Sequence, residues 1–238
     1  MFGNKKIKTQ GEINLAELKK WEARDKKNLL LVHTVRTQYL NNSVLLTQDA
    51  QSVFKTWDIV STSLIDLKAL KKNFGAVGRR GHVATGLFFE AGFILEVPTQ
   101  NILGTFPRDA WFPNHAGVDL KNQRIFDKSA LSDSIFSGKA KKPSKNVEGG
   151  YNKILAPRKI LSQTNSSYYN EIIVIGRPNI SLYPGLLATR EIKVAGIILA
   201  PKYVTNSSEF FKQQARKESR KAGELMMKHN PGIPVIEL

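Results

Sequence analysis

An α+β fold, with strands and helices in mixed order, is predicted by three observations. Short branched-aliphatic runs recur along the chain, bounded by polar or glycine-bearing punctuation: "NLLLVH" at 28–33, "DIVST" at 58–62, "GFILEVP" at 92–98, "NEIIVIG" at 170–176 and "VAGIILAP" at 194–201. Segments with helical spacing fall among them without the regular alternation of a doubly wound sheet. An apolar fraction of 41% with 12 Phe gives 238 residues enough material for a sizeable core, in one domain with an appendage.

The elements follow in order. Residues 1–27 read as an arm, loose over 1–12 and then a short amphipathic helix in "INLAELKKWEARDKK", where Leu15, Leu18 and Trp21 repeat at spacing three. Residues 28–238 read as a single domain. Its first strand, 28–33, ends on His33. "TQDAQSVFKTW" predicts a helix, and 58–62 a second strand. "SLIDLKALKKNFG" reads as a helix that Ser63 caps with Asp66 three residues on, that Leu64, Leu67, Leu70 and Phe74 face, and that Gly75 ends. "AVGRRGHVATG" is loop or strand edge, and Pro98 ends the strand at 92–98. Residues 104–125 carry aromatics and prolines with little periodicity. The polar, basic stretch "SGKAKKPSKNVEGG" (137–150) reads as a surface loop or mobile insert. After the strands at 170–176 and 194–201, Asn206 and Glu209 cap a helix over 206–228, and "IPVIEL" suits a last strand.

Charge is the loudest global signal, with 36 Lys+Arg against 20 Asp+Glu and a net charge of +16. Such an excess suits polyanions, meaning nucleic acid, nucleotide phosphates or an acidic surface, or else serves general solubility. The basic residues cluster at 5–27, 68–80, 139–145 and 212–228, without the interleaved aromatics of a single-strand binding groove. No apolar run approaches a membrane span, and the charged amino terminus has no apolar core of a cleavable signal peptide, which leaves a cytoplasmic protein or a secreted effector. The absence of cysteine excludes disulfides, thiol nucleophiles and thiolate metal sites. His33, His82, His115 and His229 never fall at ligand spacing, so no metal is expected. There is no Gly-x-Ser-x-Gly elbow and no P-loop, and "GAVGRRG" does not sit between a strand and a helix as a dinucleotide fingerprint would.

Three polar groups then stand out at the rims of core strands: His33, the triplet Ser61-Thr62-Ser63, and Glu171 at the mouth of "EIIVIG" behind Tyr168 and Tyr169. Each has an ordinary reading. A strand-ending His is commonly a hydrogen-bonded structural residue, Ser63 a helix cap, Glu171 an edge carboxylate, and Arg79 and Arg80 a solvated turn.

In this order, strand–His-Thr, strand–"STS"–helix, "GFILEVPTQNIL" and a strand-opening Glu, the chain resembles the ADP-ribosyltransferase superfamily over residues 28–200. The resemblance implies two small mixed sheets forming a central cleft with flanking helices, in which NAD is split as substrate without a metal. It implies Glu171 as the catalytic carboxylate and His33 as a grip on the dinucleotide. The backbone of Thr34 would hold the nicotinamide amide, and Ser61 or Ser63 would orient Glu171. Arg36, Arg79 and Arg80 are pyrophosphate candidates because guanidinium pairs bidentately with phosphate oxygens.

Two positions depart from the Arg-Ser-Glu branch of the family: His33 stands where that branch has Arg, and Tyr169 where it has a Glu or Gln that positions the acceptor. The missing second carboxylate disfavours a protein arginine acceptor. The aromatic, together with the charge, leans towards nucleic acid.

The chain is thus expected to be a mono-ADP-ribosyltransferase toxin or effector acting on a macromolecular acceptor, nucleic acid or protein, with an antitoxin or immunity protein as a further partner. The alternatives are an NAD glycohydrolase toxin with water as acceptor, a metal-independent ribonuclease using His33 or His82 with Glu171, and a basic nucleic-acid-binding module.

Overall fold

Strands that are apolar on both faces belong in the middle of a sheet covered on both sides, and the computed structural model builds its core on such strands. It describes residues 10–35, 43–73, 91–107, 118–119, 124–125, 153–164, 170–180, 187–199 and 209–238. In chain order these form α1 (Gln10–Glu22), β1 (Leu29–Val35), α2 (Ala50–Thr56), β2 (Ile59–Asp66), α3 (Leu67–Asn73), β3 (Ala91–Glu96) and β4 (Ile102–Phe106). They continue with β5 (Val118–Asp119), β6 (Arg124–Ile125), α4 (Pro157–Gln163), β7 (Glu171–Ile175), β8 (Lys193–Leu199), α5 (Glu209–His229) and β9 (Val235–Glu237). The fold is α+β around one mixed seven-stranded sheet, ordered β4-β7-β2-β1-β3-β8-β9, with β5 and β6 as a separate ribbon. Every pair in the large sheet is antiparallel except β8 with β9.

Alternation along the strands sorts the core into two faces. Leu29, Leu31 and Val35 of β1, Val60 and Leu64 of β2, Ile172 and Val174 of β7 and Leu199 of β8 pack with Phe54 of α2 and with Ala222 and Met226 of α5. Leu30, Val32, Ile65, Ile94 and Ile198 point the other way, with Leu67 and Leu70 of α3.

In place of two separate small sheets, the strands show one sheet with a seam inside β2. The first half of β2, Ile59 to Thr62, is in register with Ile175 to Ile172 of β7. Its second half, Ser63 to Asp66, is in register with Val32 to Leu29 of β1. One strand therefore serves two half-sheets. Beyond Val32 the register of β1 continues only with β3, in the pairs His33–Phe93, Thr34–Gly92 and Val35–Ala91. At the other end of the seam, β7 opens at Glu171, which pairs with Phe106 of β4. There the side-chain amide of Asn170 carries the bonding to β2 past the last β2–β7 register pair, Thr62–Ile172. Its Oδ1 accepts from Leu64 N at 2.7 Å and its Nδ2 donates to Leu64 O at 2.8 Å.

Several sequence expectations shift. Ser63 does not cap a helix: β2 runs through it to Asp66, whose Oδ1 accepts the Ala69 amide at 3.0 Å as the true cap. Leu64 accordingly belongs to the sheet rather than to the face of α3. A Ser-x-x-Asp pattern read alone suggests a capping box, but pairing with β1 is the stronger claim on these residues. On α1 the buried positions are Asn14, Leu18 and Trp21, spaced four and three, while Leu15 is 45% exposed. Trp21 Nε1–H donates to Leu155 O at 2.8 Å and Asn14 Oδ1 accepts from Ile154 N at 3.0 Å, so α1 is tied into the main core. The helix expected in 47–57 is shorter because Asp49 caps it, accepting from Ser52 N at 2.7 Å. The stretch 104–125 contributes β4 and the β5–β6 ribbon. Phe74, Gly75, Asn206 and the basic insert at 137–150 lie outside the described residues.

Candidate functional site at the seam of the sheet

The seam gathers the polar groups that the strand rims suggested. Glu171 is 2% exposed, and Ser61 Oγ donates to its Oε1 at 2.6 Å. Burying a carboxylate is costly unless it is hydrogen-bonded, and a hydroxyl donating to a charged oxygen makes a short, strong bond. The bond fixes the side chain across the β2–β7 junction. Glu171 is therefore not a solvated edge carboxylate but a seated one. Ser63 and Thr34 lie on the same sheet face as Ser61 and Glu171 by alternation, Ser63 buried and Thr34 half-buried.

His33 reaches the same junction from the opposite face. Its ring sits edge-on to Phe54 and Trp57, with centroids 5.3 and 5.5 Å away, and its Nδ1 lies 2.8 Å from Ser61 O. A carbonyl only accepts, so Nδ1 carries a proton and Nε2 holds the lone pair of the neutral ring. His33 and Glu171 are thus joined through Ser61, one holding its carbonyl and the other its hydroxyl. Sequence reasoning supplied neither Asn170, which closes the ladder beside Glu171, nor the Phe54–Trp57 wall. The asparagine stands one residue before the carboxylate, but only the register reveals its partner.

Burial holds the His33 imidazole below its ordinary pKa, against the opposing effect of the bond to Ser61 O. The sign follows from linkage. The unfolded chain takes up this proton near pH 6.5 and the folded one only lower, so the unfolded state binds more protons below that point. Stability is therefore expected to fall as pH drops below about 6.5, and His33→Gln is expected to flatten that part of the profile. Denaturant midpoints across the acid range measure it; an unchanged slope in His33→Gln would count against a half-buried neutral imidazole seated on Ser61 O.

Arg36 and Tyr169 lie outside the described residues, as do Tyr168, Arg79, Arg80, His82 and His115. Among the described residues no group of three or more His, Asp or Glu converges on a point, and no helix is long and apolar enough to cross a membrane. A recess of about 500 Å³ lies elsewhere, along the start of β1 and the end of β3, lined by Arg24, Leu30, Ile94, Glu96 and Lys193 among others. It contains none of Glu171, Ser61 and His33. Its Arg24 is already used structurally, donating to Trp21 O at 2.9 Å and lying over the Trp21 ring. The seam therefore remains the better candidate. No known protein family, curated protein or solved structure matches the chain.

Proposed function

We propose that the chain is a mono-ADP-ribosyltransferase, a toxin or effector that moves ADP-ribose from NAD to a macromolecular acceptor. The observation that carries this reading is the buried Glu171 carboxylate held by the Ser61 hydroxyl at 2.6 Å, at the seam where one half-sheet parts from the other. That seam is the feature nearest to the cleft between two small sheets that the family resemblance implies.

The chemistry asks for such a group. The bond from the ribose anomeric carbon to the nicotinamide nitrogen breaks, and its electron pair leaves with the ring, which becomes neutral nicotinamide. The ribose is left with oxocarbenium character. A carboxylate already oriented beside it stabilises that charge as it develops and accepts a hydrogen bond from a ribose hydroxyl. The acceptor then adds its lone pair to the anomeric carbon and releases its proton to solvent. Thr34 lies past the last β1–β2 register pair, where its backbone suits the nicotinamide amide, and His33, on the face opposite Glu171, acts on the site through the Ser61 backbone rather than on the ribose itself. Water in place of the acceptor makes the same site an NAD glycohydrolase.

The ribonuclease alternative needs an acid and a base flanking one phosphate. His33 and Glu171 approach Ser61 from opposite faces of the sheet, which does not favour that use of the pair.

The purified chain, incubated with adenylate-labelled NAD in chelator, is expected to release nicotinamide, with label passing to added nucleic acid or protein. Nicotinamide release with all label in free ADP-ribose selects the glycohydrolase. No nicotinamide release, with RNA cut in the absence of NAD, overturns the proposal.

A further inference from the structure

The basic cluster at 212–228 has no part in the seam, and the structure shows how it is laid out. It belongs to α5, whose buried side is fully committed. Ala222 and Met226 are in the main core, and Gly223 packs so closely on Leu199 that a Cβ would come within 2.8 Å of its Cδ1. On the outer side Arg216, Lys217, Arg220, Lys221 and Lys228 are all exposed. At 3.6 residues per turn they fall within an arc of roughly 140° and span about 18 Å of helix. Between 216 and 228 that arc contains one acid, Glu224. Glu218, at its margin, accepts from Gln214 Nε2 at 3.0 Å.

Two of the spacings, Arg216–Arg220 and Lys217–Lys221, stack like charges one turn apart, which works against an isolated helix. Arg216 and Arg220 also line a recess of about 140 Å³ with Ser219, Leu199, Glu237 and Leu238. Glu237 shares that recess, so the two guanidinium groups would meet a phosphate from its outer rim, on the solvent face of the helix.

We propose that the solvent face of α5 is a docking track for the phosphate backbone of a nucleic acid, bound by charge and without base readout. The net charge of +16 supplies the long-range attraction. A membrane surface is the poorer partner, because among the described residues of α5 the exposed large apolar side chains are Phe210 and Met227, too few for the continuous apolar face that an interfacial helix needs. The track is independent of the transferase reading. α5 packs on the sheet face occupied by Leu31, Val174 and Leu199, whereas Glu171 lies on the other.

Fluorescence anisotropy over a salt series, with a labelled mixed-sequence DNA duplex and a labelled single-stranded RNA as probes, tests this. If the five cations each displace a counterion from the duplex, log K should fall against log salt with a slope of about −4.5. The variant Arg216→Ala/Lys217→Ala/Arg220→Ala/Lys221→Ala keeps good helix formers, and circular dichroism checks that the helix is retained. Its slope is expected to be shallower by about 3.6, leaving the contribution of about −0.9 from Lys228. Removing the same charge at exposed Lys19, Lys20, Lys26 and Lys27 should leave binding near the parent's, and Glu171→Gln should bind as the parent does. The proposal is overturned if neither probe binds at low salt, if the two charge-removal variants lose affinity equally, or if phosphatidylserine vesicles compete better than nucleic acid.

Discussion

Glu171→Gln is expected to lower nicotinamide release from NAD by about 10²–10³-fold while leaving the melting temperature unchanged or slightly raised. The two halves of this result have one physical cause. Glutamine has nearly the same shape, and its carbonyl oxygen accepts the Ser61 hydroxyl that now holds Oε1 at 2.6 Å. What disappears is the negative charge. In the folded protein that charge sits at 2% exposure, where its loss of hydration is a standing cost. Removing it relieves the cost and, with it, the group that answers positive charge on the ribose. A structural carboxylate behaves in the opposite way, since its loss damages folding first. Thermal melts and NAD turnover measured on one preparation separate the cases. Parental turnover in Glu171→Gln removes the transferase reading, and a large drop in melting temperature returns Glu171 to a purely structural role.

The legible parts of this fold are those whose cause is local. β1, β2, β3, β7 and β8 are covered on both faces and therefore read as aliphatic runs, recognisable without any partner. β4 escaped notice because Gly104 and Thr105 interrupt its pattern, yet all five of its residues are buried by neighbours distant in sequence. Ser63 was misread for the complementary reason: its local capping pattern is real, but β1 claims the residue through a pairing that no window around it contains.

The candidate site divides the same way. That Glu171 opens a strand is written in "NEIIVIG". That it is buried depends on Ser61, 110 residues away. Period two sets His33 with Leu29 and Leu31, but learning that this is the face opposite Glu171 requires the registers of β1 with β2 and of β2 with β7 together. Residue types at strand ends suggest chemistry; the arrangement belongs to the long-range pairing.

Gly176→Ala is expected to be the most damaging single methyl in the described core, costing about 3 kcal/mol or more. Gly176 follows β7 and lies against the turn from α2 into β2. A Cβ there would stand 2.4 Å from Phe54 O and 2.6 Å from Trp57 O. Both obstacles are backbone, so no side chain can swing aside. The backbone cannot easily retreat either, because Gly176 N donates to Asp58 O at 3.3 Å and Arg177 N to Trp57 O at 2.9 Å. The Arg177–Asp58 ion pair, 2.8 Å long, closes over the same turn.

For a chain of this size the expected loss in melting temperature is roughly 6–12 °C. Gly104→Ala provides the comparison: its Cβ would meet the Phe106 ring at 3.0 Å, a side chain that has some freedom to tilt, so a smaller loss is expected. The displaced segment also carries Phe54 and Trp57, the two rings that hold His33 against Ser61 O. The pH dependence assigned to His33 should therefore weaken in Gly176→Ala as the melting temperature falls. If Gly176→Ala melts like the parent, the turn is looser than this packing implies, and the imidazole owes its seat to β1 and β3 alone.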